Sequence, residues 1–382
     1  MTVRGNESDL TIILLIDALG WDIARKYDFC QGLLTYSGPL DTVLGYSSAA
    51  IPSLLSGTPP AVHGAWAMYK YRPESSPFKF LRFLPSLPHP LEWRLRALTR
   101  WITEKRKVIR GYYELYDIPL NVLGYFDVAH HGDPYAPGGV KEESFFDRLV
   151  QDEVPYMAWT YRTPEAENFA ALRDAIDSPS RVLFLYTAEL DALMHRLGTS
   201  HTEVTRKLED YERWVRLLLE KAGKSGRDTT FFLFSDHGMT DVHSVVDLRA
   251  QVNKWGYRTG RDFLAFYDST MARFWCNPAL RGGLAKNLED TGWGKVLSKE
   301  ELEALGCWFT DDSYGELIFL LRPGHLIVPS YMGRERVAAM HGYDPADCSS
   351  RGCFYSNDPK SRLPRSILDL KSLLLSRLGE VG

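Results

Sequence analysis

The chain has 382 residues, 45% of them apolar and 25% charged, a globular balance sufficient for one large α/β domain or two ordinary ones. Its net charge of −4 argues against attraction to a nucleic-acid polymer. Five scattered cysteines, Cys30, Cys276, Cys307, Cys348 and Cys353, form neither a disulfide framework nor a paired-cysteine zinc pattern, so a reducing, cytoplasmic location is the simplest expectation.

The first ten residues are polar, with Arg4 balanced by Glu7 and Asp9, and carry no leader pattern. The apolar run over 11–16 stops at Asp17, too short to span a membrane, and reads as the first core strand. Gly45-Tyr46-Ser47-Ser48 reads as a turn opening a helix, with Pro52 in its first turn. Residues 66–140 break the pattern with Pro73, Pro77, Pro85, Pro88 and Pro90 and then a basic helix, and read as an inserted cap. A strand over 181–186 precedes Asp191-Ala192-Leu193-Met194-His195. The spacing predicts a helix over 202–222, with Leu208, Tyr211, Trp214, Leu217 and Leu218 on one face. That helix leads through Gly223-Lys224-Ser225-Gly226 into a buried strand over 229–234, which ends at Ser235-Asp236-His237. Residues 245–335 hold strand-like runs at 263–267 and 317–321 and read as a second insertion, a small subdomain. The core resumes at His341-Gly342-Tyr343-Asp344 and closes in an amphipathic helix near 367–378. Strands alternating with helices predict an α/β fold, a mostly parallel sheet sandwiched by helices, in one catalytic domain over 1–382.

Open α/β sheets hold ligands at the C-terminal ends of their strands. Six candidate metal ligands stand at such places: Asp17, Asp191, His195, Asp236, His237 and His341. Asp191 and His195 are four apart, so a helical turn puts both on one face; Asp236 and His237 are adjacent, point apart and can serve two ions. Each piece alone has a bland reading. Asp17 is a plausible helix N-cap, Asp191 and His195 an exposed helix face, Asp-His-Gly a turn, and His341 a surface residue. Their joint occurrence favours a two-metal site. The carboxylate and imidazole donors suit zinc first, with manganese or iron as alternatives. Two divalent ions against three aspartates and a serine alkoxide leave a nearly neutral site that attracts phosphate.

With these motifs the chain resembles the type I phosphodiesterase/nucleotide pyrophosphatase branch of the alkaline phosphatase superfamily, over about 9–65, 155–245 and 335–380. In that family an Asp follows the first strand, as Asp17 does here. A Thr or Ser nucleophile stands sixteen residues before a His-Gly and ten before a Gly; His63-Gly64 and Gly57 put Ser47 in that place, with Ser48 as the rival. The family's Asp-x-x-x-His matches Asp191 and His195, its Ser-Asp-His-Gly-Met matches residues 235–239, and its His-Gly-Tyr-Asp matches residues 341–344. The resemblance implies an alkaline-phosphatase-like core with an inserted cap and subdomain. It implies one metal on Asp191, His195 and His341 and another on Asp17, Asp236 and His237. Ser47 would attack phosphorus and pass through a phosphoseryl intermediate. The expected substrate is a small phosphorylated metabolite or nucleotide. A phosphotransferase or mutase of the same superfamily, or a nucleotide pyrophosphatase, is the alternative. No Cys/Ser-x-Pro-x-Arg pattern follows the first strand to support a sulfatase.

One departure bears on substrate. Diesterases of the group carry an Asn shortly after the His-Gly; here that stretch is Ala65-Trp66-Ala67-Met68-Tyr69-Lys70. Lys70 or Tyr69 is then the expected holder of a phosphoryl oxygen, and a lysine there favours a monoester. His130-His131 reads as an insertion loop. Residues 69–111 carry eleven Lys/Arg against three Glu, a local surplus of eight positive charges. Within them Leu91, Leu95, Leu98 and Ile102 recur at helical spacing beside Arg94, Arg96, Arg100, Lys105 and Arg106. The first reading is a helix packed on the core by its leucine stripe. Steering of an anionic substrate and peripheral membrane contact through 91–108 stay open. In the run Tyr112-Tyr113-Glu114-Leu115-Tyr116 core packing is favoured over pocket lining. The oligomeric state is not legible.

Overall fold

Leu10–Ile16 is apolar at all but one position and buried at every one, which places it at the centre of a sheet covered on both faces. The computed structural model describes residues 9–85, 89–105, 109, 111–359 and 362–379. The main sheet has six strands: β1 (Leu10–Ile16), β2 (Tyr36–Leu40), β3 (Tyr156–Trp159), β4 (Val182–Thr187), β5 (Thr229–Phe234) and β6 (Gly352–Ser356). Their order is β2-β6-β5-β1-β4-β3. β1 runs parallel to β4 from Thr11↔Val182 to Ile16↔Thr187, and parallel to β5 from Leu10↔Thr229 to Leu15↔Phe234. Only β6 runs against its neighbours. This register brings the C-terminal ends of β1, β4 and β5 to one edge.

Alternation along the strands splits the core in two. Ile13, Leu15, Phe184, Phe232 and Phe234 pack with the helices Ser47–Ser56, Phe145–Gln151 and Leu370–Ser376. Ile12, Leu14, Leu183, Leu185 and Leu233 pack with Glu165–Ala175, Glu189–Leu197 and Thr202–Lys224. The last of these helices buries Val204, Leu208, Tyr211, Val215, Leu218 and Ala222, while Leu217 is exposed. The buried stripe alternates steps of four and three residues, so it passes over Leu217. The closing helix is shorter than expected: a 3-10 turn over Ile367–Asp369, capped by Ser366, precedes Leu370–Ser376.

The two inserted segments share one hydrophobic cluster. Phe263–Tyr267, Met271–Cys276, Leu317–Leu321 and Gly294–Val296 form a second, antiparallel sheet in that order. The antiparallel pair of Tyr69–Tyr71 with Phe126–Val128 lies on it, Phe126 meeting Phe266 at 5.0 Å between ring centroids. A buried ion pair ties the two together. Arg273 donates from Nε to Asp268 Oδ2 (2.7 Å) and from Nη1 to the Tyr69 carbonyl (2.8 Å).

The basic helix, His89–Lys105, is turned opposite to the expectation. Glu92 Oε1 accepts from the Leu120 amide at 2.9 Å, and Arg96 donates to the carbonyls of Leu115, Tyr116 and Ile118. Thr103 is buried, whereas Leu91, Leu98 and Ile102 face water and only Leu95 packs inward. The irregular chain over 115–118 leaves carbonyls that need donors, and an arginine supplies them where a leucine cannot. No helix among the described residues is long and apolar enough to cross a membrane.

His63 stitches Ser47–Ser56 to the following turn. Its Nδ1 accepts from the Ala65 amide (3.3 Å), so Nε2 carries the proton donated to Ser53 Oγ (2.9 Å). Burial, with smaller contributions from His130 and Lys141, lowers its pKa to about 3.

Two outcomes are expected. Arg273→Met leaves Asp268 buried and unpaired and lowers the urea-unfolding free energy by about 3–5 kcal/mol; adding Asp268→Leu recovers part of that loss. His63 stays neutral when folded but takes up a proton near pH 6.5 when unfolded. Its stabilisation is therefore complete above pH 6.5 and falls by up to about 1.4 kcal/mol per pH unit as pH drops toward 3. Urea unfolding at pH 7 and at pH 5 shows this, and His63→Gln flattens the slope.

Candidate metal and nucleophile site

The functional side chains hang from the sheet edge where β1, β4 and β5 end. Asp17 follows β1, and its amide donates to Thr187 O at the end of β4 (2.9 Å). The chain then turns sharply through Ala18, whose φ of 61° is left-handed. That turn lets the Ala18 amide donate to Asp236 Oδ1 at 3.3 Å. Asp236 and His237 follow β5. Asp191 and His195 share one face of Glu189–Leu197, and His341 follows the short strand Ala339–Met340.

These residues converge as two clusters, Asp17, Asp236 and His237 in one and Asp191, His195 and His341 in the other. Within each, the candidate ligand atoms lie within 4.8 Å of one another. His237 Nε2 is 3.4 Å from Asp17 Oδ1 and 3.3 Å from Asp236 Oδ2. His195 Nε2 and His341 Nε2 are 3.2 and 3.5 Å from Asp191 Oδ1. The His237 and His341 rings stack at 3.9 Å and join the clusters. Backbone carbonyls set two of the tautomers. His195 Nδ1 donates to Ala339 O (2.8 Å) and His237 Nδ1 to Gly238 O (3.0 Å), which leaves each Nε2 lone pair facing its cluster.

The electrostatics call for cations. Asp17 Oδ1, Asp191 Oδ1 and Asp236 Oδ2 are buried without a hydrogen-bond donor. Burial first, then the charges of Asp236 and Asp191, push the Asp17 carboxyl well above its ordinary range. Burial likewise raises Asp236. Asp191 differs: burial pushes it up, but the neighbouring His195 outweighs that and holds it at about 2. Burial and the neighbouring His237 keep His341 well below its ordinary pKa, neutral and able to donate a lone pair. Buried anionic oxygens lacking donors, next to imidazoles presenting lone pairs, are a donor set that fits divalent cations.

Ser47 opens the helix Ser47–Ser56, and its Oγ stands 3.0 Å from His237 Nε2. Since that nitrogen accepts, the serine hydroxyl donates to it. Ser48 lines the adjoining cavity without touching His237. The cavity, about 460 Å³, is bounded by both clusters and by Tyr46, Tyr112, Tyr116, Tyr135, Tyr161, Tyr186, Met68, Met332 and Met340. No lysine or arginine lines it among the described residues.

The two expected substrate-binding residues are not brought there. Tyr69 is fully buried in the insertion core and donates its hydroxyl to Glu114 O. Lys70, on the same short strand, directs Nζ to Ala129 O at 3.4 Å, behind the cavity wall. Tyr112 and Tyr116, read as core, line the cavity instead, as does His130, read as an uninvolved loop. Thr270, in the turn after Phe263–Tyr267, also reaches the site. It donates its amide to Tyr46 Oη (3.0 Å) and its hydroxyl to Gly342 O (2.9 Å), bracing the residues next to Ser47 and His341. Gly342 has φ +88°, and a Cβ there would meet the Tyr46 ring at 2.8 Å. Tyr46 and Gly342 lie in motifs named above, but nothing in the sequence links Thr270 to them, and only the fold joins the three.

The sequence model of a family described as type I phosphodiesterase / nucleotide pyrophosphatase matches residues 11–344. No curated protein sequence matches the chain. Among solved structures, murine ectonucleotide pyrophosphatase / phosphodiesterase 5 is similar at a TM-score of 0.69 and 15% identity, covering 98% of this chain and 96% of that one. An inactive form of that murine protein in complex with AMP is similar at 0.68 and 15%, with the same coverage. The human counterpart is similar at 0.63 and 16%, again over 98% and 96%.

Tyr186 donates its hydroxyl to Asp17 Oδ2 at 2.5 Å and so orients a candidate ligand from behind. Tyr186→Phe is expected to weaken divalent-cation binding by about 10–100-fold, measured by calorimetric titration of the chelator-treated protein.

Proposed function

The chain belongs to the type I phosphodiesterase/nucleotide pyrophosphatase family of metal-dependent phosphoric ester hydrolases, and from that premise we propose that Ser47 is its nucleophile. Asp17, Asp236 and His237 hold one divalent cation, and Asp191, His195 and His341 a second. The bond cut is a phosphodiester or pyrophosphate bearing a flat or apolar group, as in a nucleotide. The observation that carries this reading is the position of Ser47 Oγ, 3.0 Å from a candidate ligand nitrogen and at the N-terminus of a ten-residue helix.

Bound cations, zinc by preference on this mixed donor set and manganese or iron as alternatives, supply the Lewis acidity that makes a serine hydroxyl nucleophilic at neutral pH. Ser47 Oγ forms a bond to phosphorus as the bond to the leaving oxygen breaks. The product is a phosphoseryl ester, which water then cleaves to regenerate the hydroxyl. The first-turn amides of the Ser47 helix favour negative charge at the phosphoryl oxygens. The tyrosines and methionines of the cavity exclude water and offer faces for a ring or chain. With Lys70 behind the wall, the argument for a monoester loses its support. A cavity lined by no lysine or arginine among the described residues suits the single charge of a diester. The five free thiols, one of them the exposed Cys348, support a reducing, cytoplasmic compartment.

Hydrolysis of bis-p-nitrophenyl phosphate is expected to exceed that of p-nitrophenyl phosphate in zinc or manganese. Ser47→Ala is expected to lose on the order of 10³-fold or more in turnover while still binding two cations per chain. Diester turnover surviving in Ser47→Ala would move the nucleophile elsewhere. Faster monoester turnover would restore a phosphatase.

A further inference from the structure

The helix His89–Lys105 holds to the protein by its polar side and shows its apolar side to water. Inward lie Glu92, Arg96, Thr99 and Thr103; outward lie Leu91, Trp93, Leu98 and Trp101, about half to two-thirds exposed. The preceding turn, Lys79–Phe83, adds Phe80 and Phe83, each 75% exposed. The two elements are neighbours, for the turn packs on Leu120–Leu123 and Glu92 holds the Leu120 amide. Cations stand among the rings. Lys79 Nζ lies 5.7 Å from the Phe80 ring, the Arg82 guanidinium 5.0 Å from Phe83, and Lys105 Nζ 4.7 Å from Trp101. Arg94 is exposed on the same outer side of the helix.

A helix meeting only water would turn the other way, because exposed tryptophan and leucine cost free energy that burial recovers. Something apolar must therefore cover this face, and its charge identifies the cover. The surface mixes exposed aromatic rings with long cations. The segment 69–111 has eight surplus positive charges in a chain that is acidic overall. In a lipid headgroup region aromatic rings settle at the acyl boundary, while lysine and arginine extend to the phosphates. We propose that residues 79–83 and 91–105 form a docking surface for an anionic membrane, with Phe80, Phe83, Trp93 and Trp101 inserted and Lys79, Arg82, Arg94 and Lys105 on lipid phosphates. Residues 106–108, within the span expected from sequence, lie outside the described residues and are not needed. The helix also grips the cavity wall, since Arg96 holds the carbonyl of Tyr116, which lines the cavity.

Cosedimentation of the full chain with vesicles of phosphatidylcholine, with and without phosphatidylglycerol, tests this. The native chain is expected to pellet with the anionic vesicles and to be released by salt. Trp93→Ser with Trp101→Ser is expected to weaken binding about tenfold or more. Arg94→Gln with Lys105→Gln is expected to cost about fivefold per charge and erase the lipid preference. Both pairs are on the surface and should keep native turnover of a soluble diester, which verifies their folding. Equal binding to both vesicle types, or native binding by the tryptophan pair, would overturn the proposal. So would failure to bind lipid together with self-association that the tryptophan substitutions disperse, which would make the face an interface between copies.

Discussion

Three aspartates brought together in a dry place are the constraint on which the rest of the structure depends. Asp17, Asp191 and Asp236 each keep a buried oxygen without a donor. An unpaired buried carboxylate costs several kcal/mol, so the arrangement is tolerable only with compensating charge. The protein supplies part of it: the Ala18 amide on Asp236, the Tyr186 hydroxyl on Asp17, and imidazoles around Asp191. The remainder points to cations, and the same uncompensated charge that strains the protein alone is what gives a divalent ion its affinity there.

The sheet and the insertions divide the labour. The parallel register of β1, β4 and β5 aligns three strand ends, so ligands far apart in sequence meet without long loops. The insertions supply three of the cavity's six tyrosines, Tyr112, Tyr116 and Tyr135, and one internal brace. Thr270, in the turn between two strands of the inserted sheet, binds the residues beside Ser47 and His341, so movement of that lobe would be felt at Ser47. The buried Arg273–Asp268 pair holds the lobe's two parts in register and thereby the brace.

Much of this was legible in the residues. The strands at 11–16, 181–186 and 229–234 stood out because a strand covered on both faces is apolar without alternation, a pattern few other local structures produce. The six ligand candidates stood out because each sits where such a strand or a glycine-flanked turn ends. The errors have a common cause. Distance from His63-Gly64 points to Tyr69 and Lys70, but a short strand buries one in the insertion core and turns the other behind the wall. Helical periodicity identified the stripe Leu91, Leu95, Leu98 and Ile102 but carries no information about whether a stripe faces core or solvent. Unsatisfied carbonyls at 115–118, visible only in three dimensions, decided that Arg96 faces inward.

By itself, then, the sequence determined what short-range patterns encode: a parallel α/β core, the places where its strands stop, and the acidic, imidazole and hydroxyl groups at those stops. Tertiary structure alone decided which of those groups share a cluster, that Ser47 rather than Ser48 meets His237, which tyrosines enclose the cavity, and which side of the basic helix meets water. The physical reason is that strand and helix patterns arise from neighbours along the chain. A cavity, a brace or an exposed face arises from packing between segments tens to hundreds of residues apart, where register and unsatisfied polar groups choose among arrangements that local pattern leaves equivalent.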